Sequence, residues 1–266
     1  MKTQIKFIAI AIFALFGMQS CLYYAHNDMF MIHGTGPIVA ETFELEGFTG
    51  VVSKTVIDID IVKGDEQEVL VEGHQNMMDY IEVYVSGNSL YVDLKPGSYN
   101  NFKLKVFLTL PNIESLELES TGDITIGDFN RLENLEIDVR STGDVVSTGW
   151  LSIIDELDID VRSTGKVDLL VDVDQIRANI DGTGNVTLDG TCRSQIIDMA
   201  STGNYFAYNL ESDICDISVK GVGDAKVNVN ETLDAYITSV GNVFYKGNPS
   251  VDVIDNGIGD IIAVSN

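Results

Sequence analysis

Basic residues are scarce in this 266-residue chain, with 16 Lys and Arg against 41 Asp and Glu and a formal net charge of −25. So acidic a surface repels phosphates, which excludes nucleic acid and anionic lipid headgroups as natural partners. Histidine is scarcer, at three. His26, His33 and His74 show no metalloprotease spacing, and none stands ready to activate a serine, so common enzyme motifs are absent. No apolar run is long enough to span a bilayer, and no apolar stripe at helical spacing argues for crossover helices. Disorder is excluded as well, because 45% of the residues are hydrophobic and regularly placed. The acid is spread over a folded surface.

Cysteine is limited to three. Cys21 closes an N-terminal segment, "MKTQIKFIAIAIFALFGMQSC", with two lysines, a short apolar stretch and small or polar residues before the Cys. That is a secretory signal, and "MQSC" resembles a bacterial lipobox, with Met18 where Leu is commoner. The expectation is lipidation at Cys21, a chain anchored to the bilayer rather than spanning it, and residues 22–41 as a tether. "CLYYAHND" lacks Asp after the Cys, which resembles outer-membrane sorting. Cys192 and Cys215 remain, with pairing left open; alternation around Cys215 reads as a small buried hydrophobe.

What the sequence has in quantity is a repeat. "DVRSTGDV" at 138–145 returns as "DVRSTGKV" at 160–167. Aligning on its glycine gives eight copies, at Gly122, Gly143, Gly165, Gly184, Gly203, Gly223, Gly241 and Gly259. Alternating runs such as "LEIDVRS" and "LDIDVRS" precede the copies, and "DITI", "KVDL" and "NVFY" follow them. Period two means strands with one buried face. Short strands and a glycine turn every 18–22 residues make a parallel β-helix, here about eight coils over residues 111–266. The glycine is expected to supply positive φ at the corner, and the following Asp or Asn to bond its own local backbone. One inward ladder is expected to run Leu118, Val139, Val161, Ile180, Met199, Val219, Ile237. Residues 42–110 read as strands and hairpins that cap the first coil, with a helical turn within 74–80.

The order of motifs resembles the bacterial auto-transporter adhesin family with a head GIN domain. The likeness rests on "GFTGV" (47–51), "IDIVKGDEQEVLVEG" (59–73), "DYIEVYVSGNSLYVDLK" (79–95), "FLTLPNIESLELESTGD" (107–123), the glycine repeats and "YKGNPSVDV" (245–253). It covers roughly 44–265. It implies a right-handed, pectin-lyase-like parallel β-helix in exported proteins or lipoproteins, with no catalytic residues to carry over.

Three surface ladders are candidates for chemistry. Glu117, Asp138, Asp160, Asn179 and Asp198 share an outward face. Carboxylates about 4.8 Å apart repel by about 0.9 kcal/mol in water and several times that at lower dielectric. Either Ca²⁺ or the neighbouring Arg140 and Arg162 offset this. The corner ladder Asp123, Asp144, Lys166, Asn185, Asn204, Asp224, Asn242, Asp260 is explained by turn chemistry. Phe206, Lys226 and Phe244 stand on consecutive coils with Tyr208 and Tyr205 nearby, a flat aromatic face suited to sugar rings or a partner's apolar patch, unless another segment packs over it. Trp150 is expected at a corner with its ring partly exposed.

The reading is a non-catalytic envelope lipoprotein that binds a glycan or protein ligand through its side. One alternative is an assembly protein pairing through its terminal β-helix edge. A remote one is a polysaccharide lyase using Asp138, Asp160 and Arg162, although coils this short leave no length for cleft walls.

Overall fold

The structure, a computed structural model, describes residues 31–265. The signal segment, Cys21 and the first part of the expected tether lie outside the described residues. Within them the chain is built from strands, plus a single 3₁₀ turn at Gln75–Met77 inside the expected helical turn.

From Ser115 onward the alternating runs stack as parallel rungs. Leu118 lies opposite Val139, then Val161, Ile180, Met199, Val219 and Ile237, the predicted ladder. Every one of these side chains is fully buried. Each contributes roughly 1.5–3 kcal/mol of apolar transfer energy. The solenoid has about seven turns rather than eight, since eight glycine corners bound seven complete coils. Register shifts between the stacked strands, as between Val146 and Trp150 and between Ile153 and Glu156, bend each coil so that one core stays enclosed.

The front half joins the same stack. Gly50–Ser53 pairs in parallel with Ser115–Leu118 and with Ser89–Leu94. Asp58–Lys63 pairs in parallel with Ile124–Ile126 and with Leu104–Leu110. Antiparallel strands then end the stack: Ile81–Ser86 on Ser89–Leu94, and Glu68–His74 on Leu104–Leu110. One continuous apolar cluster runs from Phe48 to Val243.

Part of the expected tether is structured. Met31–His33 pairs with Ser98–Asn100, and Ile38–Phe43 adds an antiparallel edge strand to Glu68–His74. An edge strand exposed on both faces is held by backbone pairing and shows no alternation, which is why periodicity passed over it. The short turn clamps this segment. Asn76 Oδ1 accepts from Thr35 N–H at 2.7 Å, and Asn76 Nδ2 donates to the His33 carbonyl at 2.8 Å.

Two expectations about the corner are corrected. The positive-φ glycines are Gly36, Gly47, Gly87, Gly190 and Gly247, and none belongs to the repeat. The repeat glycines are required by stacking: a Cβ on Gly143 would lie 2.3 Å from the Gly122 carbonyl oxygen, and one on Gly223 would lie 1.8 Å from that of Gly203. Only a hydrogen fits between consecutive corners. The Asp and Asn side chains, for their part, bond the next coil rather than their own. Asp123 Oδ1 accepts from Asp144 N–H at 2.8 Å, and Asp144 Oδ1 from Lys166 N–H at 2.8 Å. The series resumes with Asn185 to Asn204, Asn204 to Asp224, Asp224 to Asn242 and Asn242 to Asp260. Lys166, which carries no acceptor, interrupts it.

Candidate functional site

The aromatic face is set by strand register. Thr187, Phe206, Lys226, Phe244 and Ile262 occupy one outward column on successive rungs. The alternation that buries Tyr205, Ala207, Ala225, Val227 and Val243 turns Phe206, Tyr208, Lys226 and Phe244 to the outside, where each is half-buried. The Lys226 ammonium lies 5.0 Å from the Phe206 ring centroid and 5.9 Å from that of Tyr208. Lys246 lies 4.8 Å from the Tyr208 centroid. The Tyr208 ring thus has two cations near it, an arrangement stabilised by the ring quadrupole. Lys246 was missed at the sequence level, although alternation two residues past Phe244 points it to this face.

Tyr205 is corrected. One residue from Phe206 in a strand, it points inward and is the largest fully buried side chain. Its hydroxyl donates to Gln195 Oε1 at 2.9 Å, Gln195 Nε2 donates to Ser212 Oγ at 2.7 Å, and Ser212 Oγ donates to the Asn228 carbonyl at 3.0 Å. Gln195 occupies a core column otherwise held by Leu157, Ile176, Cys215 and Leu233. A polar residue is tolerated there because every one of its polar atoms is matched. Cys192 and Cys215 line the same interior as free thiols. Burial pushes the Cys192 thiol up to about 12 and the Cys215 thiol well above its ordinary value. Both are packing groups rather than nucleophiles.

The candidate metal ladder is occupied by the chain's own cations. Arg140 bonds Glu117 and reaches Asp138 Oδ2 from Nη2 at 2.6 Å. Arg162 bridges Asp138 Oδ2 at 3.1 Å and Asp160 Oδ2 at 2.6 Å, and Lys220 pairs with Asp198. No three His, Cys, Asp or Glu among the described residues converge to hold an ion. The corner oxygens, in turn, accept backbone N–H groups. His74 Nδ1 accepts from Lys103 N–H at 2.8 Å and so orders a loop. Trp150 stands at a bend with about half its surface exposed (52%).

A second outward column was not singled out from sequence: Glu136, Asp158, Arg177, Ile196, Asp216, Asp234 and Asp252. Burial holds the Asp158 carboxyl above the ordinary carboxylate range, with Asp160 and Glu156 adding and Arg177 opposing. Glu117 is also raised, chiefly by burial, with a side-chain hydrogen bond to Glu119 adding and Arg140 opposing. A carboxyl with a raised folded pKa binds its proton more tightly in the native state. Its stabilising contribution is full below the ordinary value and is lost as pH rises through the folded value. The melting temperature should therefore rise as pH is lowered from neutral toward the ordinary carboxylate value of about 4. Asp158→Asn should flatten part of that rise; calorimetry at the two pH values checks it, and a fall for the parent chain would contradict the assignment.

No curated protein matches the chain, but solved structures do. A "putative adhesin" of Parabacteroides distasonis superposes with a TM-score of 0.80 at 21% identity, over 88% of this chain and 100% of that one. A "putative adhesin" of Bacteroides fragilis gives 0.68 at 25% identity, over 88% and 100%. A "putative lipid binding protein" of P. distasonis gives 0.76 at 20% identity, over 88% and 99%. At these identities the likeness is one of fold. Together with a family pattern that matches residues 47–249, it places this chain in the family described as "Putative auto-transporter adhesin, head GIN domain".

Proposed function

We propose that this chain is an exported, non-catalytic binding protein that holds a ligand against the side of its solenoid. The observation that carries the reading is the outward cluster of Phe206, Tyr208, Lys226, Phe244 and Lys246 on a flat parallel sheet. Aromatic rings on an exposed sheet offer large contact area at little entropic cost, because the strand already orders them. Family membership and the adhesin-type names of the structural neighbours support a role in attachment. On this reading Cys21 carries a lipid that anchors the chain to the bacterial envelope, at the outer membrane, and the acidic solenoid stands off the bilayer.

Replacing Phe206 and Phe244 together by Ser is expected to abolish retention on an array of glycans and matrix proteins. Both rings are outside the core, so the melting temperature should move by no more than a few degrees. Undiminished retention by the double variant would overturn the assignment of this face.

A further inference from the structure

We infer that the aromatic face selects an anionic polysaccharide, with Lys226 and Lys246 reading its carboxylate or sulfate groups. The inference rests on the reading that this face is the binding site, and it adds what kind of ligand the site takes.

Charge bookkeeping leads to it. Acidic residues outnumber basic ones by 41 to 16, so a cation on the outside of the coils is placed to find a carboxylate. Most outward cations on the neighbouring faces do: Arg140, Arg162, Arg177, Arg193 and Lys220 all sit in ion pairs. Lys226 and Lys246 do not. Among the described residues their ammonium groups are held over the Phe206 and Tyr208 rings, and neither pairs with a carboxylate. Two cations with open hydrogen-bonding capacity on a strongly acidic protein form a local site of opposite sign, and an anion restores their complementarity.

The spacing selects a polymer of sugars. Rungs stand about 4.8 Å apart, close to the length of one pyranose along an extended polysaccharide. Phe206, Lys226 and Phe244 fall on three successive rungs, so a chain lying along the solenoid axis places a sugar face on each ring and an acidic group at the lysine between them. In the adjacent column Asn228 stands between Glu211 and Lys246, and Tyr208, in the irregular stretch between Ala207 and Glu211, lays its ring beside the Lys246 ammonium. A face of rings alone would take neutral glycans equally well; the unpaired ammonium groups set the preference.

The test measures binding of the purified full chain to four probes at low and at high salt. They are an oligouronate, a sulfated oligosaccharide, a neutral oligosaccharide of equal length, and vesicles with or without anionic phospholipid. The expected result is binding to the uronate or sulfated probe, weakened by salt, and about tenfold or more above the neutral probe. The variant Lys226→Met with Lys246→Met keeps the apolar stems over the rings. It should lose that preference while retaining weak binding to the neutral probe. If Phe206→Ser with Phe244→Ser abolishes binding but the Lys variant binds all sugars as the parent does, without salt dependence, the inference fails and the proposed face stands. If neither variant changes binding, both fail. Binding confined to anionic vesicles would replace the polysaccharide with a lipid surface and overturn the inference.

Discussion

Gly223→Ala is expected to cost about 4–5 kcal/mol or more, a loss at the extreme end for a single methyl group. The added Cβ would lie 1.8 Å from the Gly203 carbonyl oxygen, 2.8 Å from the Gly203 carbonyl carbon and 3.2 Å from the carbonyl carbon of Thr202. All three atoms are backbone of the preceding coil, so no side chain can rotate away. Relief requires prying two coils apart, which also breaks the hydrogen bond from Asp224 N–H to Asn204 Oδ1 at 2.9 Å. For a chain of this size such a loss lowers the melting temperature by roughly 10–20 °C. Gly87→Ala is the control. Gly87 has φ of 61° with nothing near its would-be Cβ, so its cost is only the left-handed penalty of about 1–2 kcal/mol. Thermal melts followed by circular dichroism compare the two; a milder effect at Gly223 than at Gly87 would refute the stacking account of the repeat.

Changing the whole buried polar chain is expected to cost far less than its single changes added together. Tyr205→Phe strips the donor from Gln195 Oε1 in the core and should cost about 1–3 kcal/mol. Gln195→Leu matches its column of aliphatic neighbours but leaves the Tyr205 hydroxyl and Ser212 without their shared partner, for about 2 kcal/mol or more. The combination Tyr205→Phe, Gln195→Leu, Ser212→Ala removes the polar groups together and should cost well below the sum of the single losses. Denaturant unfolding of these three variants and of Ser212→Ala alone checks this. Additivity within about 0.5 kcal/mol would show that the groups do not act as a unit. Tyr205 supplies an internal reporter, since burial raises its phenol well above the ordinary value. Its ionisation should appear only with unfolding.

The expectations that held and those that failed divide along a physical line. Lys246 belongs with what alternation alone reveals, since it is two residues from Phe244 in an extended run. Tyr205 could have been turned inward by the same rule. The edge strand Ile38–Phe43 could not be seen that way, because nothing buries either of its faces consistently.

What this sequence determined by itself is everything that depends on position along one strand or on recurrence once per coil. Period two decides which side chains face in. A glycine every 18–22 residues sets the coil length, and together they place Val139 on Val161 and Phe206 on Lys226. Only the tertiary structure decided why the glycine must be glycine, where the corner carboxylates and amides bond, which cations spend their charge on Asp138 and Asp160, and that Lys226 and Lys246 rest against aromatic rings instead. Those are contacts between residues about 20 apart, and their energies depend on ångström distances between coils, which no pattern along a single chain records.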